Sequence, residues 1–157
     1  MIPKERVEKF KEVIRGAGVG FAEFNIIVTQ VDPDALGGAY AIKMAIALIN
    51  LNAHVHIFYC GAFGHPQNRA IANKFDLKKY FTPISNFCDD SNRNVILVDS
   101  SDLADGRLRI SQKIDPIMIV DHHRGERHVE DEKKFYLIDE VGAVSTLCVE
   151  LLIALEF

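Results

Sequence analysis

Three short, mostly apolar runs that each stop at acid or imidazole constrain this chain more than any other feature. Asn25-Ile26-Ile27-Val28-Thr29 leads to Asp32 and Asp34. Val95-Ile96-Leu97-Val98 stops at Asp99, and Ile117-Met118-Ile119-Val120 stops at Asp121-His122-His123. Apolar runs of this length, with little polar alternation, read as strands buried on both faces, the habit of parallel sheets covered by helices. In open sheets of that kind, ligands bind in the crevice beyond the carboxyl ends of the strands. Carboxylates and imidazoles delivered there form a donor set suited to a hard or borderline divalent cation.

The remaining segments fit the same architecture. Val7, Phe10, Val13 and Ile14 recur at helical spacing within Lys4 to Gly16. The Asp32-Pro33-Asp34 turn opens a helix over roughly Ala35 to Leu51, with Asp34 as the expected N-cap and Gly37-Gly38 permitting close backbone approach. His54 to Tyr59 reads as a strand, Pro66 starts a short helix through Phe75, and residues 76–94 carry no clear periodicity. Further strands are expected at about 95–99, 117–121 and 135–138, followed by a helix from Ala143 to Leu155. Strands alternating with helices predict an α/β three-layer sandwich, with a mainly parallel sheet of about five strands and helices on both faces.

At 157 residues the chain is expected to form a single domain. Its composition, 48% hydrophobic and 25% charged, is that of an ordinary globular protein. A net charge of −4 argues against a broad basic surface for nucleic acid, while leaving room for a local phosphate site beside bound cations. Cys60, Cys88 and Cys148 form no CxxC pair, which disfavours a disulfide framework or a thiolate zinc site and suits a reduced, cytoplasmic setting. No apolar run reaches the roughly 18 residues of a membrane span, so no membrane partner is expected. The terminal run Leu151-Leu152-Ile153-Ala154-Leu155 has no stop signal and reads as a helix that expects buried contact with a further lobe or with a second copy of the chain.

Each constellation has a plain reading beside the chemical one. Asp32 and Asp34 can converge on a cation, or serve as a turn aspartate and a cap. Asp99 is placed as a ligand or as a cap for the next segment, and Asp102 reads as that cap. Asp121-His122-His123-Arg124 mixes carboxylate, imidazole and a planar guanidinium suited to phosphate, against the alternative of a surface turn. Adjacent side chains diverge, so one histidine can ligate while the other meets substrate oxygen. Free N–H groups at the start of Gly142-Ala143-Val144-Ser145-Thr146 can receive a phosphate or be simply capped. His54 and His56 read as structural, His65 can reach the crevice from a neighbouring loop, and Asn68 and Arg69 read as surface residues.

In order and spacing, these motifs resemble the DHH phosphoesterase superfamily. Asp32-Pro33-Asp34-Ala35-Leu36-Gly37 looks like its first motif, Val98-Asp99-Ser100 its second, and Asp121-His122-His123-Arg124 its third. Gly142-Ala143-Val144-Ser145-Thr146-Leu147 looks like the family's next segment. Within it, the chain most resembles the branch of the oligoribonucleases and phosphoadenosine phosphatases. The resemblance implies Asp32, Asp34, Asp99 and His122 as metal ligands, with Asp99 bridging two Mn²⁺ ions, and His123 and Arg124 on the phosphate. It implies hydrolysis of a small nucleotide or a short single-stranded oligonucleotide, with Mg²⁺ or another divalent metal as a substitute. Two departures stand out. The histidine that usually opens the first motif is replaced by Val28, or by Gln30 if one residue is skipped. The family's later aspartate ligand and its C-terminal substrate-binding domain have no counterpart here, so the chain reads as the catalytic half, expected to be weakly active or inactive alone.

The expected mechanism is two-metal hydrolysis, with cations about 3.5–4 Å apart activating a water and clamping a phosphate oxygen. The competing expectation is an impaired phosphate- or nucleotide-binding or assembly module with an incomplete site. A single-Mg²⁺ response-type domain is a third class, disfavoured because Mg²⁺ prefers oxygen ligands.

Overall fold

The computed structural model describes residues 1–18, 20–88, 93–101, 106–108, 114–123 and 131–156. In chain order the regular elements are α1 (Lys4–Gly16), β1 (Glu23–Val28), α2 (Pro33–Ile49), β2 (His54–Tyr59), α3 (Pro66–Lys74), β3 (Phe81–Pro83), β4 (Val95–Val98), β5 (Met118–Asp121), β6 (Phe135–Ile138) and α4 (Val144–Ala154). All six strands run parallel in one sheet, ordered β3-β2-β1-β4-β5-β6. The fold class is therefore α/β, consistent with a three-layer sandwich. Among the described residues, no helix is long and apolar enough to cross a membrane.

The sheet has six strands, not about five. The additional one, β3, lies in the stretch without periodicity. It is three residues long, pairs only along Ile57 to Tyr59 of β2, and ends on Pro83 at the sheet edge. A strand that short is below the length at which alternation can be read, and a proline is tolerated there because one side of the strand has no partner.

Side-chain alternation sorts the core into two layers. Phe24, Ile26 and Val28 of β1, Ile96 and Val98 of β4, Met118 and Val120 of β5, and Phe135 and Leu137 of β6 face α1, α2 and α4. Ile27, Val95, Leu97 and Ile119 face the other way, against Leu108 and Ile114 from the β4–β5 connection and against Ile84 and Phe87. Placing that connection on the opposite side from α2 is what right-handed crossovers demand once the winding reverses at β1.

α1 docks on β6 through Phe10, whose ring meets Phe135 edge-on at 5.4 Å, and its Arg6 pairs with Asp139. α2 and α4 lie side by side over the sheet centre. Gly38 makes this possible: a Cβ there would lie 3.0 Å from Val144 Cγ1 and 3.2 Å from Val98 Cγ1. The expected close approach thus belongs to Gly38; at Gly37 the nearest atom is the Ser145 Cβ, at an ordinary 3.9 Å.

Candidate metal centre

The winding reverses between β1 and β4, so their carboxyl ends open into a crevice with no crossover above it. The carboxyl ends of β1, β4 and β5 meet there. Each of the three apolar runs has delivered its polar residues to the same place.

From β1 the chain bends through Gln30 into α2. Asp32, not Asp34, is the N-cap: its backbone is extended and its Oδ1 accepts from Ala35 N at 2.9 Å. The cap geometry needs an extended residue before the first turn, and Pro33, with its fixed φ, already occupies that turn. Oδ2 of Asp32 accepts from Gln30 Nε2 at 3.2 Å.

Asp34, one residue into α2, crosses to α4. Its Oδ2 accepts from Val144 N and its Oδ1 from Ser145 N, both at 2.8 Å. These are two of the N–H groups that a phosphate would have used, so the protein's own carboxylate caps α4. Burial pushes the Asp34 carboxyl upward, but the hydrogen bonds from Ser145 and Val144 outweigh it and hold the group below its ordinary range.

Asp99 ends β4 in a left-handed conformation, φ +61°, while its N–H donates to Val120 O. Aspartate tolerates that conformation better than most residues, and the twist takes its side chain off the strand's alternation and into the crevice. The residue is 7% exposed, and its Oδ1 has no hydrogen-bond partner among the described residues. Burial, with Asp32 and Asp34 adding to it and the two histidines opposing, raises its carboxyl to about 6.

His122 and His123 follow β5. Nδ1 of His122 lies 3.0 Å from Val141 O. A carbonyl can only accept, so that nitrogen carries a proton, and in the neutral imidazole Nε2 presents a lone pair. Nε2 is 3.2 Å from Asp99 Oδ1 and 3.6 Å from Asp34 Oδ2. With the imidazole neutral and both carboxyls ionised, three acceptors converge with no hydrogen between them, an arrangement that a cation relieves.

The His123 ring lies 4.4 Å from that of His122, centroid to centroid. Its Nδ1 is 2.8 Å from Asp121 Oδ1 and 3.7 Å from Asp99 Oδ1. Asp121, 1% exposed, also accepts from the backbone N–H groups of His122 and His123. The hydrogen bond that His123 donates to Asp121, opposed by partial burial, raises the imidazole above its ordinary value. Ligand atoms of Asp99, His122 and His123 all lie within 4.8 Å of one another.

Of the residues expected at the site, Asp34, Asp99, His122 and His123 come together, whereas Asp32 is turned toward its own helix and Gln30. Arg124 and Asp102 fall outside the described residues. His65 stands exposed before α3 without capping it through its side chain, and His54 and His56 are exposed along β2. Three contributions escaped the sequence reading. Asp121 steers His123, and Gln30 holds Asp32. Asn68 donates to Val31 O at 2.6 Å, tying α3 to the β1–α2 loop. Only Asp121 carried a signal, as part of its motif; the other two depend on contacts across the fold.

No family model matches this chain, and no curated protein or solved structure is significantly similar to it.

Proposed function

We propose that this domain binds one or two divalent cations, Mn²⁺ foremost, through Asp99, His122 and Asp34, and hydrolyses phosphodiester or phosphomonoester bonds of short oligonucleotides or small nucleotides. The observation that carries this reading is the approach of His122 Nε2 to Asp99 Oδ1 at 3.2 Å without a hydrogen bond, the other ring nitrogen being committed to Val141 O. The resemblance of the ordered motifs to those of DHH phosphoesterases supports the same reading. Asp34 retains coordination capacity, because each carboxylate oxygen has two lone pairs and each here accepts one backbone hydrogen bond.

When bound, such a cation supplies Lewis-acid charge and lowers the pKa of water toward neutrality. The chain's own residues do the rest. Val141 O holds the His122 ring in the tautomer that exposes Nε2. Asp121 orients His123 and favours its charged form, so that Nε2–H of His123 can donate to a phosphate oxygen at the crevice mouth. The β1, β4 and β5 backbones set the spacing of these groups, so little reorganisation is needed on binding.

The test is Mn²⁺-dependent turnover of a short oligonucleotide and of a chromogenic diester by the wild type and by Asp99→Asn. The expected outcome is a weak metal-stimulated hydrolysis in the wild type that the variant loses; equal, measurable turnover in the two, or none in either, would reject the hydrolase assignment. A second reading has its own support: both oxygens of Asp32 and both of Asp34 already accept hydrogen bonds, which leaves the ligand set thin for two ions. That reading is a one-cation nucleotide- or phosphate-binding module. Calorimetric stoichiometry separates them: two Mn²⁺ per chain favours the hydrolase, and one Mn²⁺ without turnover favours the module.

A further inference from the structure

We infer that Arg107 is an anion-binding residue of the crevice, supplied by the β4–β5 connection and held in place by Gln30. Nη1 of Arg107 donates to Gln30 Oε1 at 2.9 Å across 77 residues of sequence. The far end of the same amide is fixed too, Nε2 donating to Asp32 Oδ2 at 3.2 Å. Only one orientation of the amide satisfies both bonds, with oxygen toward the guanidinium and nitrogen toward the carboxylate. The tether therefore runs from Gln30, two residues before Asp32, to a cationic side chain brought from another loop.

The position follows from the tether: Gln30 lies between the carboxyl end of β1 and α2, four residues before Asp34, and Arg107 itself is exposed. The tether to the Gln30 oxygen orients the guanidinium. A planar guanidinium with five donors matches the oxygens of a tetrahedral oxyanion, as a lysine does not.

The ligand class follows from the charges beneath. Asp34 and Asp99 repel a bare anion, and a cation on them reverses the field. The ligand is thus a phosphate or phosphonate group that meets the cation with one oxygen and offers its outer oxygens to Arg107 and His123. This assignment rests on the metal reading above and adds the group that receives the substrate's charge.

The experiment titrates methylphosphonate, which cannot be hydrolysed at a P–O–C bond, into Mn²⁺-saturated protein by calorimetry. Mn²⁺ itself is titrated in parallel. For Arg107→Ala, methylphosphonate affinity should fall about tenfold to a hundredfold, as expected for losing a charge-assisted contact. Mn²⁺ affinity should stay within about twofold and the melting temperature should be unchanged. Arg107→Lys should recover only part of the loss. Unchanged methylphosphonate affinity in Arg107→Ala with Mn²⁺ binding intact overturns the role of Arg107 and leaves the metal centre standing. Failure of the Mn²⁺-loaded wild type to bind methylphosphonate does the same. Failure of the wild type to bind Mn²⁺ overturns both.

Discussion

A buried carboxylate with an oxygen unpartnered among the described residues has to be held by the rest of the protein at a cost. For Asp99 the carboxyl rises from 3.8 to about 6, chiefly through burial. The folded protein therefore holds a proton that the unfolded chain releases, and stability falls as pH rises between these two values. The loss is on the order of 3 kcal/mol in metal-free protein. Asp99→Asn should remove this pH dependence and make the metal-free protein more stable than wild type at pH 7, because asparagine also accepts the left-handed backbone. Urea unfolding at pH 4 and pH 7 with chelator present checks this; equal pH slopes in the two proteins would contradict it. His123 acts in the same direction at higher pH. Its raised value adds stability below its unfolded pKa, lost as pH rises through the folded one. At His122 the expected outcome is plainer. His122→Ala should weaken Mn²⁺ binding by at least about tenfold, as loss of a residue that orients or supplies a ligand does, and calorimetry reads it directly.

At the scale of elements, the site depends on how α2 lies against α4. Asp34 caps α4 from α2, and Gly38 lets the two helices close to that distance. Asp34→Ala strips the cap from α4 and should cost about 1–2 kcal/mol in urea unfolding, even without metal. Gly38→Ala sets two effects against each other. Helix propensity favours alanine by about 1 kcal/mol, whereas a methyl 3.0 Å from Val144 Cγ1 and 3.2 Å from Val98 Cγ1 forces the elements apart. Overpacking of this kind costs about 1–3 kcal/mol, so the net change should be destabilising. It should also weaken Mn²⁺ binding, since Val144 N is one of the two groups that hold Asp34. A stabilised variant with wild-type metal affinity would show that the interface yields more easily than its packing implies. Cys148, beneath this contact, has its thiol pushed up to about 12 by burial and by the nearby Asp34 and Asp99, so it stays protonated and unreactive.

For the whole molecule, the proposed cation would join strands that are far apart in sequence but adjacent in the sheet. Binding to the folded state alone should therefore stabilise the entire domain. At a Mn²⁺ concentration about 100 times the dissociation constant the gain is about 2.7 kcal/mol. For a chain of this length that corresponds to a rise in melting temperature of about 5–10 °C. Thermal melts with Mn²⁺, and again after addition of chelator, check the prediction. The rise should be smaller near pH 5 than at pH 7, because the proton on Asp99 then competes with the metal. A melting temperature indifferent to Mn²⁺ at pH 7 would count against a built cation site.

Much of this protein could be read along the chain. Runs such as Val95–Val98 are apolar without break because both faces of the sheet are covered, and helical spacing marked Lys4–Gly16 to the residue. The polar residues after three of the strands were legible as a site for the same reason: parallel strands all present their carboxyl ends to one side. The strand order was not legible, because pairing is decided by crossovers and core packing across the whole sheet. Nor was the division of labour among the acids. Asp32 and Asp34 are nearly equivalent in the sequence, and only the arrival of α4, 110 residues later, makes one of them a cap for its own helix and the other a cap for a distant one. The sequence by itself determined that acids and imidazoles follow the carboxyl ends of β1, β4 and β5, since strand period and chain direction are local properties. Tertiary structure alone decided which of them face one another, since that depends on contacts no local pattern encodes.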